Sequence, residues 1–346
     1  MSPTRREFMQ TLGAGMVGPT LLGTTDKADA RLPVVGAGPY TYEVHHDWGA
    51  LPASIKYGNT HGVCEDSQGR IYVHHTVHEA SDSHDTMVVF DDKGRFIKSW
   101  GRDFKGGAHG LHINKEGRDE FLYLCDTKRA LVVKTTLAGE EVFTIGFPKE
   151  SDRYTPADDG KPARYSPTNL AIAPNGDIYV GDGYGSSYIN QYTRKGEFVR
   201  TLIGPGKAPG EVATPHGLIV DTRRNPAVLM VADRSNRRIQ NFTLDGKHLG
   251  FIEGTMAPCH FDEYKGAMLV PDLFSRVTLL GRDDKVLVHL GEDDPDGWKE
   301  VRKGSREGFK PGKFVCPHGA CFDHAGNIFV VEWVEVGRVT KLRKVA

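Results

Sequence analysis

One phrase recurs six times along this chain, and self-similarity at a fixed period leaves few folds open. Its clearest copy starts at Ser166 and reads SPTNLAIAPNGDIYVGDGYGSSYINQYTRKGEFVRTLIG. Short apolar runs alternate there with the turn signals PNG, GYGSS and RKGE, which predicts four strands over residues 169–173, 177–181, 188–192 and 198–203. Related copies open as HGVCEDSQGRIYVHH, HGLHINKEGRDEFLYLCD, HGLIVDTRRNPAVLMVAD, CHFDEYKGAMLVPD and HGACFDHAGNIFVVEW. Their heads stand at His61, His109, Asn169, His216, His260 and His318, spaced by 44 to 60 residues. The longer spacings hold polar insertions at 148–165 and 292–313.

A four-stranded antiparallel unit cannot bury both faces alone, whereas six arranged radially can. The expected fold is therefore all-β, a six-bladed β-propeller occupying residues 31–346. The last copy supplies three strands only (319–322, 327–332, 338–344), so YTYEVHHDW from Tyr40 is the candidate for its fourth and would close the ring. A parallel α/β fold needs amphipathic helices between strands, and the sequence offers none. Gly 41 and Pro 19 suit a turn-rich fold. A formal net charge of -1 gives no field that selects nucleic acid or an anionic membrane. A mean hydropathy of -0.42 argues against a membrane-integral protein. The run VADRSNRRIQ, with Asp233, Asn236 and Arg238, resembles the NHL-repeat propellers, and the likeness extends over roughly residues 58–344.

Residues 1–30 read as an address rather than as part of the propeller. Arg5-Arg6 followed by Glu7-Phe8 resembles a twin-arginine export signal, with a weakly apolar stretch after it and Ala28-Asp29-Ala30 as a cleavage site. The mature protein is then expected in the periplasm or secreted, where disulfides are permitted. Cys259 and Cys316 precede heads of neighbouring blades and form a possible pair.

The heads are the informative positions, because each precedes an innermost strand and all six should meet at one mouth of the channel. Alternate blades put His109, His216 and His318 at threefold positions, and three neutral imidazoles with an open fourth position make a catalytic-zinc arrangement. Two uses compete for such histidines, metal ligation and hydrogen bonding to neighbouring backbone. His61, Asn169 and His260 belong to the other threefold set and, with His75, are secondary pocket candidates. The dense His74, His75, His78 and His84 group lacks regular ligand spacing and reads as loop histidines.

Three stretches also resemble the peptidyl-α-hydroxyglycine α-amidating lyases: SPTNLAIAPNGDIYVGDGYGSSYINQY, PGEVATPHGLIV with VADRSNRRIQNF, and VCPHGACFDHAGNIFVVEW. That resemblance implies a zinc-dependent lyase with His109, His216 and His318 as ligands, Tyr184 as catalytic base and Arg234 beside it. A tyrosine near its ordinary pKa of about 10 needs the metal or Arg234 close by to act at neutral pH. This chain departs from the family pattern in its first blade, where IYVHHTVHEASDSHD carries no arginine, and in its last, where Gly319 replaces a calcium-binding Asp and Cys316 a Met. The implied substrate is a small-molecule or peptide-like compound other than a peptide ending in hydroxyglycine; structural calcium is not expected. The insertions should overhang the mouth and bring Arg153, Tyr154, Arg164 and Trp298 near a ligand. A metal-dependent hydrolase such as a lactonase, and a non-catalytic binding platform, remain open on the same propeller.

Overall fold

The computed structural model describes residues 31–156 and 160–345; the expected export segment lies outside the described residues. In the third copy the PNG and RKG turns place Gly176 and Gly196 at φ 91° and 80°, where a Cβ would be strained, and the chain reverses there. Strands Asn169–Ile172, Ile178–Gly181, Ile189–Tyr192 and Phe198–Ile203 consequently lie side by side in chain order. Asn169 faces Gly181 and Ile178 faces Tyr192. The other copies fold in the same way, giving six antiparallel sheets. Their first strands are Thr60–Glu65, Ala108–Glu116, Asn169–Ile172, Pro215–Asp221, Asp262–Tyr264 and Pro317–Phe322.

The last blade joins the two ends of the propeller. Tyr40–His45 pairs antiparallel with Arg338–Lys344, with Val44 opposite Leu342. A fifth strand, Val34–Ala37, then pairs with Tyr40–His45. The sequence reading did not anticipate this strand. It is four residues long and largely exposed, so it carries almost no apolar signal.

Six apolar clusters fill the spaces between consecutive blades. Val63, Val73 and Val88 of the first blade pack on Cys321, Phe329 and Val331 of the last. Cys64, Tyr72 and Val89, on the opposite face of the first blade, pack on Leu111, Leu122 and Leu124 of the second. The same alternation continues round the ring. Successive strand residues face opposite sides, so each sheet contributes to two cores and none is stable alone.

In the third to last blades a carboxylate at the end of the second strand ties the incoming loop in place, whereas Asp126 of the second accepts the Lys128 and Arg129 N–H groups that follow it. Asp233 accepts the Ala213 N–H at 2.7 Å, Asp272 those of Met256 and Ala257 at 2.6 Å, and Glu332 that of Val315 at 2.6 Å. An arginine three to six residues on balances the charge: Arg129 on Asp126, Arg238 on Asp233, Arg276 on Asp272, Arg338 on Glu332. This is the physical content of the Asp-Asn-Arg pattern. Two blades depart from it. The third has Asp182 with no arginine partner among the described residues, and the first has His75 in the carboxylate position, opposite Thr60.

Ring closure through the last blade generates a stability prediction. Tyr42 is buried in the core shared by the fifth and last blades, so Tyr42→Ala should cost about 3–5 kcal/mol. Val34→Ala on the exposed outer strand should cost less than about 0.5 kcal/mol. Urea unfolding of the two variants checks the contrast.

Candidate active site at the channel mouth

The glycines after His109, His216 and His318 let neighbouring blades approach. A Cβ on Gly110 would lie 2.5 Å from the Thr168 carbonyl oxygen, on Gly217 2.6 Å from that of Cys259, and on Gly319 2.5 Å from that of His61. Those three carbonyls are also the ones the preceding histidines bond. His109 Nδ1 donates to Thr168 O at 2.7 Å, His216 Nδ1 to Cys259 O at 2.8 Å, and His318 Nδ1 to His61 O at 3.0 Å. A carbonyl only accepts, so Nδ1 carries the proton and Nε2 presents a lone pair. The backbone hydrogen bond foreseen for the heads thus occupies one ring nitrogen and leaves the other as a donor atom.

The rings converge. Centroids of His109, His216 and His318 are 4.7 to 4.9 Å apart. His61, assigned to the other threefold set by the sequence, stands with them, 4.4 Å from His318 and 4.7 Å from His109. Its Nδ1 lies 3.3 Å from His318 Nε2, which has only a lone pair to offer, so His61 donates. Burial lowers the pKa of all four, His109 to about 3 and the others well below 6.5, so each imidazole is neutral at physiological pH.

Tyr184 reaches this cluster from the GYGSS loop. Its hydroxyl lies 3.2 Å from both His109 Nε2 and His216 Nε2. Arg234 Nη1 and Nη2 each donate to the same oxygen at 3.4 Å. Burial raises the Tyr184 pKa above 10.0, and the Arg234 charge offsets part of that rise. Asp182, free of an arginine, holds the loop by accepting the Ser166 and Ser186 N–H groups at 2.6 and 2.7 Å. A Cβ on Gly185 would meet Asp182 Oδ1 at 2.0 Å, so the loop tolerates no side chain there.

The remaining candidates turn to other partners. Asn169 turns its Oδ1 onto the N–H of Leu170. His260 donates Nδ1 to Ala320 O at 3.2 Å, two residues beyond His318 along its strand. His75 is buried against Tyr57, its Nδ1 accepting from Val77 N, and burial lowers its pKa to about 3. Tyr154 supports the site from behind, with its hydroxyl on Asp182 Oδ2. Arg153 and Arg164 line a cavity of about 590 Å³ whose wall includes Gly185 and Ser186, beside Tyr184. Trp298 stacks on Phe274 at 5.5 Å. Cys259 and Cys316 are both buried thiols, so the possible disulfide is not formed.

The donor set suits a divalent transition metal. Each Nε2 belongs to a neutral imidazole whose other nitrogen is tied to a carbonyl, the outer-shell pattern of metal-ligating histidines. Two groups of ligand atoms lie within 4.8 Å of one another, His61 with His109 and His318, and His216 with Cys259 and His318. The sequence reading placed Cys259 in a possible disulfide pair and not among the candidate ligands; its place just before a head was the available signal.

No family profile matches the chain. It is 27% identical over 244 residues to mouse peptidyl-glycine alpha-amidating monooxygenase, covering 61% of this chain and 24% of that protein. It is 27% identical over 232 residues to peptidyl-alpha-hydroxyglycine alpha-amidating lyase 1 of Drosophila melanogaster, covering 58% and 40%. Human NHL repeat-containing protein 3 matches at 27% over 202 residues, covering 56% and 54%. The chain therefore spans less than half the length of the two amidating relatives, and it resembles both them and NHL-repeat proteins. Among solved structures, a streptogramin B lyase superposes with a TM-score of 0.56 at 14% identity, covering 87% of this chain and 97% of that one. A gluconolactonase of Xanthomonas campestris superposes with a TM-score of 0.57 at 13% identity, covering 91% and 96%. These two share the propeller fold.

The Asp182 environment generates a pH prediction. Burial raises its folded pKa from 3.8 to about 6, so between those values the folded chain binds the extra proton. Stability should therefore fall as pH rises from about 4 to about 6, by up to about 3 kcal/mol, and level off above. Asp182→Asn should flatten that slope. Urea midpoints measured across the window for both proteins check it.

Proposed function

We propose that this protein is a metal-dependent lyase that cleaves a C–N bond at a hydroxylated carbon. The observation that carries the reading is the Tyr184 hydroxyl, 3.2 Å from two imidazole Nε2 atoms and 3.4 Å from a guanidinium. The amidating relatives support the same chemistry. His109, His216 and His318 would hold a divalent ion, which when bound supplies Lewis-acid polarisation of a substrate oxygen and pulls down the pKa of the neighbouring phenol.

The chain's own residues then divide the work. Arg234 stabilises negative charge on the Tyr184 oxygen. That oxygen takes the proton of the substrate hydroxyl, the oxygen electrons form a carbonyl, and the C–N bond breaks. Tyr184 returns the proton to the departing nitrogen. A carbinolamide thus becomes an amide and an aldehyde with no water consumed. Asp182 and the glycines beside Tyr184 position the phenol and take no part in the transfer.

The substrate differs from a peptide ending in hydroxyglycine. In the first blade the stretch 71–85 has no arginine to pair a carboxylate, and its candidate replacements, His74 and His75, are fully buried with pKa values lowered by burial to about 4 and 3. Neutral imidazoles cannot stand in for a guanidinium fork.

Steady-state kinetics on zinc-loaded protein tests the reading. A neutral carbinolamide should be turned over, and a peptidyl-hydroxyglycine should fall below about 10⁴ M⁻¹s⁻¹ in kcat/KM. Tyr184→Phe should lower kcat by about 10²- to 10⁴-fold with KM little changed. Hydrolysis of a lactone with no carbinolamide cleavage would replace the lyase by the hydrolase reading.

A further inference from the structure

Among the described residues, the thiol of Cys259 is the one sulfur grouped with the channel-mouth imidazoles. Its Sγ and one ring nitrogen each of His216 and His318 lie within 4.8 Å of one another. The arrangement is held from several sides. His216 Nδ1 donates to the carbonyl of Cys259 itself, which ties the ring to the residue bearing the sulfur. Gly217 packs against that same carbonyl, so the blades cannot separate there without losing the contact. The side chain is fully buried, and Arg234 Nη1 points at Sγ from 4.0 Å. One guanidinium therefore faces both groups at the site that can become anions, the Tyr184 oxygen and the Cys259 sulfur.

We propose that Cys259 is a metal ligand together with His216 and His318, taking the position assigned to His109 above, so that the centre of this chain is a mixed imidazole–thiolate site and not an all-imidazole one. The inference rests on the metal reading above. On binding, the Cys259 S–H gives its proton to solvent and the sulfur donates the freed pair to the metal, with no change of oxidation state. Arg234 then acts as counter-charge to the thiolate. Thiolate ligation selects zinc, cobalt or another thiophilic ion over magnesium or calcium.

Cobalt(II) titration of the chelator-stripped full chain, followed by absorbance, tests this without reference to catalysis. Stoichiometric cobalt should give a near-ultraviolet sulfur-to-metal charge-transfer band. Cys259→Ser should lose the band and bind cobalt about 10-fold or more weakly, while Cys316→Ser, a control at the neighbouring buried thiol, should keep it. Circular dichroism of each variant verifies that the propeller is folded. Stoichiometric cobalt without the band, or a band that survives in Cys259→Ser, would overturn thiolate ligation and leave the metal reading standing. Absence of cobalt binding in the folded wild-type protein would overturn both.

Discussion

The contact on which the rest depends is the bond from a head histidine to the carbonyl of the following blade. Three heads make it, and in each the next residue is a glycine pressed against the same carbonyl. A side chain at that glycine would force the innermost strands apart, because the facing atom is backbone and cannot yield. The contact thus sets the spacing of the blades at the channel. It also puts the proton on Nδ1 and aims the Nε2 lone pair inward. Closure of the ring and preparation of a donor cluster are one event.

The site sits where the repeat departs from its own rule. In the fourth, fifth and last blades a carboxylate and an arginine secure the incoming loop. In the third blade the arginine is missing, and Asp182 instead holds the loop that carries Tyr184. In the fourth blade the rule is kept, but Arg234 stands directly after the carboxylate and turns to the Tyr184 oxygen. In the fifth, the residue before the head is Cys259, which brings a sulfur to the mouth. In the first, a buried neutral histidine takes the carboxylate position. A regular scaffold supplies the fixed distances, and single substitutions in it supply the chemistry.

Burial does much of the electrostatic work. It keeps four imidazoles neutral, each within 5 Å of at least two others, the state in which they can act as ligands and do not repel. It also raises the Tyr184 phenol, which Arg234 counters only in part. A cation held there, as proposed above, would supply the charge that the protein groups leave uncompensated.

The propeller, its six blades and the closing strand at Tyr40 were legible in the sequence, because period-2 strands, glycine turns and a recurring head are local signals that accumulate over six copies. So were His109, His216, His318, Tyr184 and Arg234 as candidates, since the heads and the Tyr184 loop are marked by their place in the repeat. The outer strand Val34–Ala37 was not, because an exposed edge strand needs no apolar alternation. Nor was the company of His61 and Cys259, or the retreat of Asn169 and His260. The repeat assigns a residue to a blade and a level. Which way its side chain turns is decided by the neighbouring blade's carbonyls and sulfur, atoms more than forty residues away in the chain that only the closed ring brings within bonding distance.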